Sequence, residues 1–136
     1  MSTPLNLTPL ASALTRLQEG ITRYELDTKD TQIRDGLLQR FEFTYEQCHK
    51  MLKRFLELAS PSAEAIDSMV FQDLIRTGNE QGLLLSDWNT WKKYREMRGK
   101  TSHTYDESVA IEVVAGIPEF LQEAIFLHQQ LSQRIK

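Results

Sequence analysis

Ile33, Leu37, Phe41, Tyr45, Cys48, Leu52 and Phe55 recur at steps of three and four, and few patterns narrow the choice of fold as sharply. On a helix this spacing keeps one face for about six turns. On a strand the same residues would scatter over both faces. The spacing predicts one long core helix over residues 31–59. Ser60-Pro61-Ser62 ends it, because proline removes a backbone donor and disfavours helical geometry in the residue before it. A helix buried along one stripe needs partners with stripes of their own, which the rest of the chain must supply.

Thr8-Pro9 reads as an N-cap followed by proline at the first helical position, and Leu10, Leu14, Leu17, Ile21 and Tyr24 continue a first amphipathic helix. The polar stretch Asp27–Asp30 separates it from the long one. A shorter helix is expected at about 68–81, with Val70, Phe71, Leu74 and Ile75 facing inward and Gly82 as a left-handed C-cap. Ser86 or Asp87 can cap the next, about 87–98, whose contacts come from Trp88, Trp91, Tyr94 and Met97 and which Gly99 could end. Thr104 and Glu107 form a capping-box pattern for a last helix of about 105–135, striped by Val109, Val113, Ile117, Phe120, Ala124, Leu127 and Leu131. Pro118 lies inside that stripe and removes a ladder bond, which predicts a kink near Gly116 rather than two helices.

No segment alternates with period two over strand length, and no internal repeat is visible. The fold expected is all-α, an up-and-down antiparallel bundle of about five helices. With 136 residues, residues 1–136 form a single domain that buries roughly 65–70% of its unfolded surface, enough for one core.

A single cysteine excludes a disulfide framework and points to a reducing cytoplasm. Met1 through Leu7 has neither a basic start nor an apolar core, so no secretory leader is expected. No apolar run approaches the roughly 20 residues of a membrane span. The net charge of −3 argues against a protein that coats nucleic acid through its overall field, so any such contact must be local. The histidines His49, His103 and His128 lack metal-ligand spacing, and no phosphate-cradling glycine loop occurs, so neither metal nor cofactor is expected. Cys48 falls in the long core stripe and reads as a small buried hydrophobe.

Trp91 through Tyr105 departs from this background, with five fixed positive charges and one negative. Its plain reading is a solvated helix face whose cations complement the C-terminal end of the helix dipole. Its chemistry also suits RNA cleavage. His103 can move protons, Arg98 can clamp a phosphate in two-pronged fashion, and Lys100, Thr101 and Ser102 can add phosphate contacts. One copy offers one imidazole here, and a second copy across a two-fold axis would supply both acid and base. Trp88, Trp91 and Tyr94 read as core or dimer contacts in preference to base-stacking platforms.

Arg98-Gly99-Lys100-Thr101-Ser102-His103-Thr104-Tyr105 has the form R-x4-H-x-Y and resembles the motif of HEPN-domain proteins, specifically the small subunits encoded beside a minimal nucleotidyltransferase. Gln39 to Glu46, running on to Lys50–Arg54, and Trp91 to Glu107 resemble the subgroup called nucleotidyltransferase substrate-binding proteins. The resemblance spans nearly the whole chain. It implies a helical bundle, commonly a homodimer, in which the Arg and His motifs of two subunits line a shared cleft.

By that resemblance the chain is a HEPN toxin subunit of a toxin–antitoxin pair, a metal-independent endoribonuclease with Arg98 and His103 as its catalytic pair. Tyr105 would be the residue that the cognate nucleotidyltransferase antitoxin modifies with AMP. The motif departs from the family at Gly99, a position often filled by Asn, Asp or His. The alternative left open is a non-catalytic substrate-binding subunit of a two-component nucleotidyltransferase. The chain itself lacks the Gly-Ser and paired aspartates that a transferase needs.

Overall fold

The computed structural model describes residues 5–135, and every regular element among them is a helix. The start of the segment read for a leader therefore lies outside the described residues. Helix α1 spans Thr8–Leu26, α2 Thr31–Ala59, α3 Ala63–Asp67, α4 Phe71–Glu80 and α5 Trp88–Lys100. A 3-10 turn over Thr101–His103 leads to α6, Glu107–Arg134. Short connections turn the long helices back on one another, and α1, α2 and α6 pack mutually as an up-and-down bundle. None of the described helices is long and apolar enough to cross a membrane.

The α2 stripe forms the expected helix with the expected bounds, because period, cap and stop agree. Asp30 caps it, its carboxylate accepting the N–H groups of Gln32 at 2.9 Å and Ile33 at 3.1 Å. Leu37, Phe41, Tyr45, Cys48 and Leu52 are all buried. Phe41 meets Phe120 of α6 edge-on at 5.0 Å, and Trp91 of α5 stands perpendicular to Tyr94 at 5.4 Å beside them. One core joins residues of α1, α2, α4, α5 and α6.

Several boundaries differ from the sequence reading. Thr8 is not the cap of α1; Leu7 holds that place, and the Thr8 N–H donates to Asn6 Oδ1 at 3.0 Å. Helix α3 has no counterpart in the sequence reading, being too short to show a period, and Ser62 starts it by accepting the Ala65 N–H. It brings the total among the described residues to six α-helices, beside the expected count of about five.

The helix expected from 68 begins only at Phe71, because Val70 is extended and 65% exposed instead of facing inward. Its C-terminus follows the expectation. Gly82 takes φ +74°, its N–H donates to the Asn79 carbonyl, and the Leu83 N–H donates back to Gly78 at 2.9 Å.

Asp87 caps α5, which runs through Gly99 to Lys100. Gly99 does not end the helix, since the Thr101 hydroxyl satisfies the Arg98 carbonyl at 2.6 Å and the backbone tightens into the 3-10 turn. Thr104 is not the cap of α6 either; its hydroxyl donates to the Thr101 carbonyl. Asp106 takes that place, accepting the Ser108 and Val109 N–H groups, because a carboxylate both accepts and complements the positive helix end. The helix then continues unbroken through Pro118, with Ile117 and Phe120 both in its buried stripe.

Candidate functional site

The last turn of α5, the 3-10 turn and the start of α6 form one corner of the bundle, and α2 runs beside it. The turn is secured from both sides. On one side the Asp106 N–H donates to the His103 carbonyl at 3.2 Å. On the other, Arg34 of α2 reaches Glu107 in the first turn of α6 at 3.3 Å.

Arg98 is the most heavily engaged side chain of the corner. Its Nη2 donates to Glu46 Oε1 at 2.6 Å and its Nη1 to Thr101 Oγ1 at 3.1 Å, while Nη1 lies 3.8 Å from Glu42 Oε2. Thr101 is buried, and its hydroxyl sits between the guanidinium it accepts from and the Arg98 carbonyl it donates to. It braces Arg98 instead of facing outward. The hydrogen bond to Glu46, followed by the charges of Glu42 and Glu46, holds the guanidinium still further above its ordinary range. Tyr45, between the two glutamates in sequence, points into the core, where burial raises its phenol from 10.0 to about 12 and Arg95 and Arg98 partly oppose that shift.

The other residues of the motif diverge. Lys100 turns toward α6, its Nζ donating to Glu112 Oε1 at 2.7 Å. Ser102 is exposed and its hydroxyl donates back to the Gly99 carbonyl at 3.1 Å. His103 is exposed at the end of the turn, and Tyr105 is the most open large hydrophobic side chain among the described residues at 89%. Among the described residues no hydrogen bond joins the Arg98 and His103 side chains; Arg98 lies in the last turn of α5 and His103 closes the 3-10 turn that follows. No group of three or more His, Cys, Asp or Glu residues is placed to hold a metal among the described residues.

The aromatic residues follow their plain reading: Trp91 and Tyr94 are buried, and Trp88 packs against Phe71 at 6.0 Å. Cys48 is fully buried, and burial pushes its thiol well above the usual range. The sequence reading missed Glu42 and Glu46. They lie four residues apart on the flank of the α2 stripe, a spacing that by itself does not point to Arg98.

The pattern of the family described as "Nucleotidyltransferase substrate binding protein like" matches residues 5–133. The chain belongs to this family. Among its relatives in the nucleotidyltransferase substrate-binding family is a Haemophilus influenzae protein named "Probable ribonuclease HepT", 37% identical over 98% of this chain and 97% of that one. A solved Haemophilus influenzae structure, described as revealing the fold of a substrate binding domain of a nucleotidyltransferase, superposes with a TM-score of 0.87 at 35% identity. It covers 93% of this chain and 99% of its own. A crystal structure from Thermus thermophilus follows at a TM-score of 0.70 and 26% identity, covering 93% of this chain and 98% of its own.

Proposed function

We propose that this family member is a metal-independent endoribonuclease, the toxin of a toxin–antitoxin pair acting in the cytoplasm, and that its cognate nucleotidyltransferase silences it. The observation that carries this reading is a guanidinium braced from two sides in the last turn of α5, followed in the adjoining 3-10 turn by an exposed imidazole. The relative named as a probable ribonuclease supports it.

In the reaction the RNA 2′-oxygen loses a proton and bonds to the adjacent phosphorus. The bond from phosphorus to the 5′-oxygen breaks, and that oxygen takes up a proton. The products are a 2′,3′-cyclic phosphate and a 5′-hydroxyl. Arg98 stabilises the charge that builds on the non-bridging oxygens, and His103 transfers protons. Lys100 and Ser102 add contacts to the RNA backbone, and Thr101 acts through Arg98. Two proton transfers need two groups, and a second copy of the chain supplies the second His103.

Tyr105 is the residue the antitoxin modifies. Its phenol is open to a partner's active site, and an AMP attached there would put bulk and negative charge two residues from His103. The test of the proposed function is cleavage of RNA by the purified chain, lost in Arg98→Ala and in His103→Ala.

A second reading, a non-catalytic substrate-binding subunit docked to the nucleotidyltransferase, draws on Gly99 and on the fold shared with a nucleotidyltransferase substrate binding domain. A Cβ at Gly99 would meet nothing within 4 Å, so Gly99→Asn starts from open space. An inactive wild-type chain that gains cleavage through this change would favour the second reading.

A further inference from the structure

Arg98 lies in the last turn of α5, yet its shortest contact crosses to another helix, 2.6 Å from Nη2 to Glu46 Oε1 of α2. Thr101 holds Nη1 at 3.1 Å, but it belongs to the same turn as Arg98 and can only fix the side chain relative to its own backbone. A guanidinium can clamp a phosphate with two parallel N–H bonds only when its plane is fixed. Acceptors on both Nη atoms define that plane. Glu46 alone references it to the long central helix. Glu42, 3.8 Å from Nη1, is beyond hydrogen-bond range and contributes charge only.

We propose that Glu46 is a positioning residue of the active site, orienting the Arg98 guanidinium for the RNA phosphate; this rests on the ribonuclease reading above. The alternative is an ordinary surface ion pair, and the two differ in the sign of their effect. Glu46 is well exposed, its side chain 59% open, so replacing it leaves the core intact. Removing a negative charge from beside a phosphate site should by itself draw RNA in and raise the rate. Loss of orientation should lower the rate instead, because small misplacements of a charge-stabilising group act on the chemical step.

The test pairs single-turnover and steady-state cleavage of a short RNA with nitrogen-15 NMR of the arginine side chains, for wild type, Glu46→Ala and Glu46→Gln. Glu46→Ala should lower kcat by about 10- to 100-fold, with KM for RNA unchanged or reduced. Glu46→Gln, which keeps an acceptor oxygen, should recover a large part of that loss. The Arg98 side-chain N–H signals should exchange slowly in wild type and fast in Glu46→Ala.

A kcat that is unchanged or raised in Glu46→Ala overturns the proposal, as does a fall in kcat with the Arg98 signals unaltered. A wild-type chain that cleaves no RNA overturns the ribonuclease reading alone. The NMR comparison then still decides whether Glu46 fixes Arg98, and unaltered signals overturn the positioning role. Should Glu46→Ala fail to fold, Glu46→Gln carries the same comparison, with a smaller loss expected and an unchanged rate and spectrum counting against the proposal.

Discussion

Glu123 of α6 accepts the backbone N–H of Leu85 at 2.7 Å from a position with no solvent exposure. The same oxygen reaches the Ser86 N–H at 3.4 Å, so one buried carboxylate holds the loop that delivers Asp87, the cap of α5. Arg98 stands at the other end of that helix. The placement of the candidate site therefore begins with a carboxylate in the core.

Glu123→Ala would take the acceptor from these partly buried backbone donors and open a void in the core, and is expected to cost about 2–4 kcal/mol. Glu123→Gln keeps a carbonyl oxygen and should cost less. Urea unfolding at constant slope measures both. Equal midpoints for wild type and Glu123→Ala would contradict the role assigned to this residue.

Trp91 is 1% exposed and packs edge-on against Tyr94 at 5.4 Å and against Phe120 at 6.2 Å. Trp91→Ala is expected to destabilise the fold by about 3–5 kcal/mol, the range for deleting a large buried aromatic side chain. Fluorescence-detected unfolding, with Trp88 as the remaining reporter, checks it. A loss of RNA binding with stability unchanged would point to a stacking role instead.

The long helices were legible because their signal is redundant. Leu37, Phe41, Tyr45, Cys48 and Leu52 repeat one face often enough that no local exception can move the period. The ends are harder to read, since there the choice lies between neighbouring side chains of similar capping strength. Asp106 displaces Thr104 because its carboxylate reaches the N–H groups of Ser108 and Val109 as well as the Ser108 hydroxyl. Gly99 reads as a stop because glycine often ends a helix, but here Thr101 satisfies the carbonyl concerned. At the candidate site the motif points to Arg98 and His103, which the fold places in the last turn of α5 and in the 3-10 turn after it. Glu46 was hidden because its link to Arg98 spans 52 positions in sequence and exists only once α2 and α5 are packed together.

The buried acids make stability fall in alkali. Burial, with a smaller contribution from the Glu123 charge, holds the Cys48 thiol above its ordinary 9.0. Burial likewise raises the Tyr45 phenol from 10.0 to about 12. The unfolded chain releases these protons first while the folded chain keeps them, so ionisation favours unfolding as pH rises. Stability from these groups is complete below about pH 9 and declines from there toward pH 12. Melting temperatures taken from pH 7 upward should show that decline, with a shallower slope at its onset in Cys48→Ala. A flat profile to pH 11 would contradict it. By the same reasoning the native thiol should resist alkylation until the chain unfolds.

Tyr105→Phe should leave RNA cleavage intact, since the ring is 89% exposed and the phenol makes no contact the fold depends on. It should abolish the gain of one AMP seen by intact mass after incubation with the cognate nucleotidyltransferase and ATP. An AMP adduct that persists in Tyr105→Phe would place the modification elsewhere.

Most direct is cleavage of a labelled RNA pool by the purified wild-type chain in EDTA, beside Arg98→Ala and His103→Ala, with intact mass confirming an unmodified protein and the product ends analysed. The ribonuclease reading requires 2′,3′-cyclic phosphate ends with wild type and none with either variant, all three melting alike. A folded, unmodified wild-type chain that leaves the RNA whole, or a His103→Ala chain that still cuts it, would contradict that reading.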